Sequence, residues 1–316
     1  MLRVGGILTL LFLLSACATQ GVRLAKLDTK LPRQHELRET PFFPQELYQC
    51  GPAALATSLN AVGVKVRPDA LTDQVYIPSR KGSLQIEMLA AARRHGTVAM
   101  KIRPALPALL EEVAGGNPVV VLQNMALSWA PTWHYAVVVG YDLDRELIWL
   151  RSGPHQRMEM AMNTFERTWA RSEHWGFITL PPGKLPASQR VEDMVPALID
   201  FEKTAKPIQS KKAYHAAANR WPKSLVVQMG LGNTAYASGD MKTAKTALQQ
   251  AVKHHPDSAA AHNNLAHVLL TLGELNAAKK MADKALQLAG EDAELRAQVN
   301  ETLQSIQKKM GRRKSS

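Results

Sequence analysis

The sequence predicts an α+β domain followed by an all-α array of helical repeats. Three observations carry this reading. A cysteine, Cys50, opens an apolar helix; a strand that begins at His134 turns back on itself as a hairpin; and Pro222, Pro256 and Gly290 recur at a constant interval of 34 residues. With 316 residues and 46% hydrophobic content, the chain can bury two cores.

The start of the chain reads as an export signal. Met1-Leu2-Arg3 is short and basic, Gly6 to Leu14 is apolar but too short for a permanent membrane span, and Ser15-Ala16-Cys17 is a small-residue cleavage site. Leu14-Ser15-Ala16-Cys17 resembles the bacterial lipoprotein signal. That resemblance implies cleavage after residue 16, a lipid on Cys17, and outer-membrane retention facing the periplasm, since Ala18 rather than Asp follows. Residues 17–40 are polar and aperiodic and read as a tether. The chain holds two cysteines, so with Cys17 lipidated Cys50 has no intramolecular partner. A net charge of +12 favours anionic partners, and export argues against nucleic acid.

Residues 41–182 form the first domain. Ala54 to Val62 reads as a buried helix, Pro68 to Val75 as a short one, and Leu84 to Arg94 as a third, capped by Ser83, with Ile86, Leu89 and Ala90 on one face and Gly96 ending it. Leu106 to Val113 is a fourth. After the Gly115-Gly116-Asn117-Pro118 break, Val119 to Leu122 is a strand buried on both faces. His134 to Tyr141, a turn over Asp142 to Arg145, and Glu146 to Arg151 make the hairpin, which sets His134 opposite Ser152 and Gly153. Met162 to Ala170 is a helix and Trp175 to Leu180 a closing strand.

The chemistry lies in Cys50 and His134. A thiol at a helix N-terminus meets free backbone N–H groups and the positive end of the helix dipole, which predicts a pKa below the free value of roughly 8.5. About eighty residues on, His134 supplies the base that such a nucleophile needs. Trp129 and Trp133 flank the approach to His134 and read either as core packing, the commoner role of such tryptophans, or as walls of a substrate groove, with Gly51 and Trp133 assigned to substrate contact.

Gln45, the run Cys50-Gly51-Pro52-Ala53-Ala54-Leu55, and the strand from His134 with its return resemble the papain-like peptidases that cleave double-glycine leaders from bacteriocin precursors. The resemblance covers residues 41–182. It implies a papain-like fold, thiolate attack on a peptide carbonyl, and His134 as base and then acid. It further implies a glutamine before the nucleophile that shares an oxyanion hole with the Cys50 N–H. Gln45 is the carrier, with Gln49 as competitor. Where the family has Asp or Asn to orient the histidine, this chain has Ser152. A serine hydroxyl can accept from the imidazole Nδ1–H but brings no negative charge, which leaves Asp142 or Asp144 through water as other orienters, or an inactive binder.

Residues 183–190 form a Pro- and Gly-rich linker, and 191–310 repeat. Leu231, Gly232, Ala235, Ala244, Leu248, Ala251 and Pro256 fall at the signature offsets of tetratricopeptide repeats, as do Leu265, Ala266, Leu269, Ala278, Ala282 and Ala285 one repeat later. A weaker unit begins at Val191, and Ala293 to Lys309 is a solvating end helix before a basic tail, 311–316. The resemblance implies recruitment of an extended peptide or a partner protein. Gly230 to Ala235 mimics a dinucleotide fingerprint, but no strand precedes it. His254, His255 and His262 read as solvated, and no metal or cofactor motif is present. Together these features predict a lipid-anchored periplasmic cysteine peptidase whose repeats recruit substrate or partner, or alternatively a degenerate peptidase-like scaffold.

Overall fold

The computed structural model describes residues 31–45, 49–187 and 190–314. The signal segment 1–16 and Cys17 lie outside these residues. In chain order the elements are β1 (Gln34–Glu36), α1 (Cys50–Ala61), α2 (Pro68–Val75), β2 (Tyr76–Ile77), β3 (Gly82–Ser83), α3 (Gln85–Arg94), β4 (Val98–Lys101), α4 (Leu106–Ala114), β5 (Val119–Asn124), β6 (Trp133–Asp142), β7 (Leu147–Ser152), β8 (His155–Ala161), α5 (Met162–Ala170) and β9 (Gly176–Leu180). The helices α6 (Val191–Glu202), α7 (Pro207–Arg220), α8 (Leu225–Ala237), α9 (Met241–His254), α10 (Ala259–Thr271), α11 (Leu275–Leu288) and α12 (Ala293–Lys314) complete it. The chain is an α+β domain with an antiparallel sheet, followed by an all-helical region.

Two compact units divide the chain. The first takes in the chain up to Ala61 with Lys65–Ser83 and Ile102–Phe177; the second holds Val62–Val64, Leu84–Lys101 and everything from Ile178. This division differs from a cut at 182, because α3 and β4 group with the helical part.

In the first unit the strands run β5-β6-β7-β8, with β1 on β6 and with Gly176 and Phe177, the first residues of β9, paired to β5. Helix α1 packs on β5 and β6 and is buried from Gly51 to Leu59. Such a helix is apolar all round because it is a core element, and Pro52 is tolerated in its first turn, where no N–H needs a partner. Leu55 and Leu59 are fully buried, each contributing about 1.5–3 kcal/mol. The β6–β7 turn forms as predicted: Asp142 Oδ1 accepts from the backbone N–H groups of Asp144 and Arg145, both at 3.0 Å.

Five strands escape the sequence reading: β1, β4, β8 and the two-residue β2 and β3, which pair with each other. β1 lies in the stretch read as tether, where Gln34, His35 and Glu36 pair with Asp142, Tyr141 and Gly140, so the tether reading fails for residues 34–36. Gly140 allows this approach, since a Cβ there would sit 2.7 Å from the His35 carbonyl oxygen. β8 is an edge strand that is mostly exposed, with Met158 partly buried and Met160 buried as its short inward face, and β4 is short. Ser83 does not cap α3; it pairs with Tyr76, and Leu84 takes the N-cap position without a side-chain bond. The buried face of α3 is Met88, Ala91 and Ala92, while Ile86 is 65% exposed.

In the second unit the 34-residue period appears as repeated contacts. Ser224, Ser258 and Asp292 each accept from the N–H three residues on, at the starts of α8, α10 and α12. Lys211 pairs with Asp240 at 3.0 Å, and one repeat later Lys245 pairs with Glu274 at 2.7 Å. The glycines of the false fingerprint serve packing. A Cβ on Gly230 would come within 2.3 Å of the Tyr214 ring, and one on Gly232 within 2.5 Å of Leu248. His262 is not solvated but buried, its Nδ1 3.0 Å from the Ser258 carbonyl oxygen. The end helix runs to Lys314 and buries Val299 and Ile306, so residues 311–314 of the tail are helical.

Candidate active site

Cys50 is the first residue of α1, and the Gln49 carbonyl opens the helix by accepting from Ala53 N–H at 3.2 Å. That bond fixes the backbone of Gln49 at the start of the helix. The sulfur is free and half-buried. Burial pushes its pKa up; backbone hydrogen bonds from Tyr135, Gly51 and Cys50 itself oppose the rise without overcoming it. The expectation of a depressed thiol pKa is therefore corrected: desolvation outweighs the helix terminus.

The Tyr135 contact puts the sulfur beside the residue that follows His134 on β6. Burial pushes the His134 imidazole down. The resting pair is thus a neutral thiol and a neutral imidazole at pH 7.

His134 Nε2 lies 2.8 Å from Ser152 Oγ. Ser152 is the last residue of β7 and is buried. Ser152 meets the ring as expected, but through Nε2 rather than Nδ1. When Nε2–H donates to Ser152, Nδ1 is left unprotonated, which is the tautomer a base needs. Asp142 and Asp144 play no part here: Asp142 holds the turn, and Asp144 pairs with Arg33. His155 is exposed opposite Ser152 in the β7–β8 pairing.

Gln45 is tied to both strands of the site. Its backbone N–H donates to the Gly153 carbonyl and its Oε1 accepts from Gly153 N–H, both at 3.1 Å, while Nε2 donates to the Tyr135 carbonyl at 3.3 Å. One Nε2 hydrogen remains beyond that bond. Gly51 is buried within α1, and Trp133 is 48% exposed at the start of β6. Cys50, His134, Ser152 and Gln45 therefore converge through Tyr135 and Gly153.

Two residues of the site are absent from the sequence reading. Tyr135 contributes its backbone on both sides, bonding the sulfur and Gln45, while its hydroxyl donates to the Ser83 carbonyl at 3.2 Å. Only its place next to His134 marks it in the sequence. Arg151 is buried and donates to the carbonyls of Thr40 (3.1 Å), Arg38 (3.0 Å) and Gln156. A charge closing the apolar run Leu147 to Leu150 was its signal. Among the described residues no cluster of side chains could hold a metal ion, and no helix is long and apolar enough to cross a membrane.

Residues 26–176 match the model of the Peptidase_C39 like family, and residues 235–299 match that of a tetratricopeptide repeat. No curated protein matches. Among solved structures, a C39-like peptidase from Bacillus anthracis aligns at 17% identity over 48% of this chain and 98% of its own, with a TM-score of 0.41. The type III secretion chaperone SycD of Yersinia enterocolitica, in complex with a peptide of the translocator YopD, aligns at 21% identity over 39% of this chain and 96% of its own, with a TM-score of 0.36. The chain thus joins a region that matches the Peptidase_C39 like family to one that matches tetratricopeptide repeats.

Proposed function

We propose that the chain is a cysteine peptidase in which Cys50 attacks a peptide carbonyl and His134 moves the proton. The observation that carries this reading is the convergence of a helix-opening thiol, an imidazole held by Ser152 at 2.8 Å, and the Gln45 carboxamide on one end of β6. His134 Nδ1 takes the thiol proton as the sulfur bonds to the carbonyl carbon. The oxyanion so formed accepts from the Cys50 N–H and the remaining Gln45 Nε2 hydrogen. The C–N bond then breaks, His134 returns the proton to the departing amine, and a thioester remains. Water, deprotonated by His134, hydrolyses it and frees Cys50.

Ser152 acts as an orienter without charge. It keeps the ring in the basic tautomer but does not stabilise the imidazolium as a carboxylate would, so turnover is slower than with an acidic third residue. Trp133, exposed beside His134, contacts the bound peptide, whereas Gly51 is buried in α1 and is left out of that contact. The repeats of the second unit recruit the substrate or a protein partner. In the same reading Cys17 carries a lipid, as the Leu14 to Cys17 motif suggests, and holds the chain at the outer membrane facing the periplasm.

A second reading, a peptide binder without turnover, is favoured by the neutral Ser152 and the raised thiol pKa. The two are separated by incubating the full chain with a pool of unrelated synthetic peptides and mapping new termini by mass spectrometry. The peptidase reading expects new termini that vanish after treatment with a thiol-directed inhibitor. Intact peptides with retained binding select the binder.

A further inference from the structure

We infer that the β5–β6 loop is a preformed docking element for bulky apolar side chains of the polypeptide substrate. This rests on the peptidase reading of the site but is tested apart from it. Nine large hydrophobic side chains are strongly exposed among the described residues, and four of them fall in this one stretch: Met125 (41%), Leu127 (53%), Trp129 (82%) and Trp133 (48%). Scattered single exposures need no explanation, whereas a cluster of this kind marks a binding surface.

The loop is built rather than loose. Asn124 Oδ1 accepts from Ala126 N–H and Thr132 N–H, both at 3.0 Å, and Leu127 bridges to Ala130. Arg171 Nη1 donates to the carbonyls of Asn124 (3.0 Å) and Ala126 (2.7 Å). Side chains on such a frame are presented with little ordering left to do when a ligand arrives.

Position and chemistry name the occupant. Trp133 directly precedes His134 on β6, and the β5 residues at the loop's other end, Gln123 and Asn124, pair with His134 and Trp133. Whatever covers the loop lies next to the imidazole. From Asn124 to Trp133 the sequence has no charged residue, although 21% of the chain is charged, and the charge that touches the loop, Arg171, has its Nη1 taken up by the Asn124 and Ala126 carbonyls, so the side chains the loop itself presents are apolar. An apolar segment beside the scissile bond fits both facts.

The test uses the full chain carrying Cys50→Ala, so that binding is read without cleavage. A labelled dodecapeptide rich in Leu and Phe, and a matched one rich in Ser and Asp, are titrated by fluorescence anisotropy. The apolar peptide is expected to bind at least about tenfold more tightly, and that preference to disappear in Trp129→Ser and in Leu127→Ser. Ile86→Ser, which removes an exposed side chain elsewhere, keeps it. Equal binding of the two peptides, or a preference unchanged in both loop variants, overturns the inference. So does binding of the loop to phosphatidylcholine vesicles with no preference between peptides, since that outcome assigns it to a membrane surface. Absence of cleavage by the parent chain, with the preference intact, counts against the peptidase reading alone.

Discussion

Replacing Cys50 by alanine is expected to lower kcat/KM for peptide cleavage by at least about ten-thousand-fold, because Cys50 is the one cysteine among the described residues and only a thiol can form the proposed thioester. His134→Ala has a comparable effect, and the double variant is little worse than either single one, as expected of residues that act as a unit. The pH dependence separates this pair from one that is ionised at rest. Burial holds the imidazole below its ordinary value and the thiol above its own. In the proposed mechanism neutral His134 is the base, so cleavage is expected to persist below pH of roughly 6.5 and to fail only when the lowered imidazole pKa is crossed. The sign for stability is the same. On acidification the unfolded chain takes up the histidine proton first, so the contribution of buried neutral His134 is present above roughly pH 6.5 and lost as pH falls through the lowered folded-state value. Steady-state rates and thermal melts between pH 5 and 9 check both statements; a rate already lost at the ordinary histidine pKa contradicts them.

Arg151→Met is the substitution with the largest expected cost in stability. The guanidinium bonds the carbonyls of Arg38, Thr40 and Gln156, fastening the segment before the site and the edge strand β8 to β7. Methionine fills part of the volume and leaves these acceptors without their donor, for a loss of about 3 kcal/mol or more. Ser152 follows directly in the chain, so looser anchoring also widens the Ser152–His134 contact and lowers kcat more than it raises KM. Thermal unfolding and steady-state kinetics on the purified variant measure the two effects. An unchanged melting temperature would show that the segment 38–40 is held by other contacts.

Much of this architecture is legible in the sequence because strong local signals agree with tertiary burial. The apolar run after Cys50 is a core helix, Asp142 fixes the hairpin turn, and the 34-residue period returns as repeated caps and ion pairs. Cys50, His134, Ser152 and Gln45 can be picked from the sequence by residue type, and the structure brings Ser152 to His134 and both Cys50 and Gln45 to Tyr135; their catalytic roles are those of the proposed mechanism. What is not legible depends on distant partners. β1 forms from polar residues only because β6 offers free backbone beside Asp142, and β8 has an inward face of only two residues, Met158 and Met160, and no β-branched or aromatic side chain to announce it. The buried face of α3 is set by its neighbours in the fold, which choose Met88 over Ile86. The direction of the thiol shift was misread for the same reason. A helix terminus is visible in the sequence, whereas the desolvation that outweighs it is a property of the folded environment. Tyr135 serves the site through its backbone, which no residue type can signal.

The dependence of Cys50 on His134 is tested most directly by labelling the folded full chain with a peptidyl acyloxymethyl ketone and locating the adduct by mass spectrometry. The proposed pairing expects a single adduct on Cys50, formed at least about a hundredfold more slowly in His134→Ala at pH 7. Equal labelling rates in the two chains, or labelling only after denaturation, would contradict it.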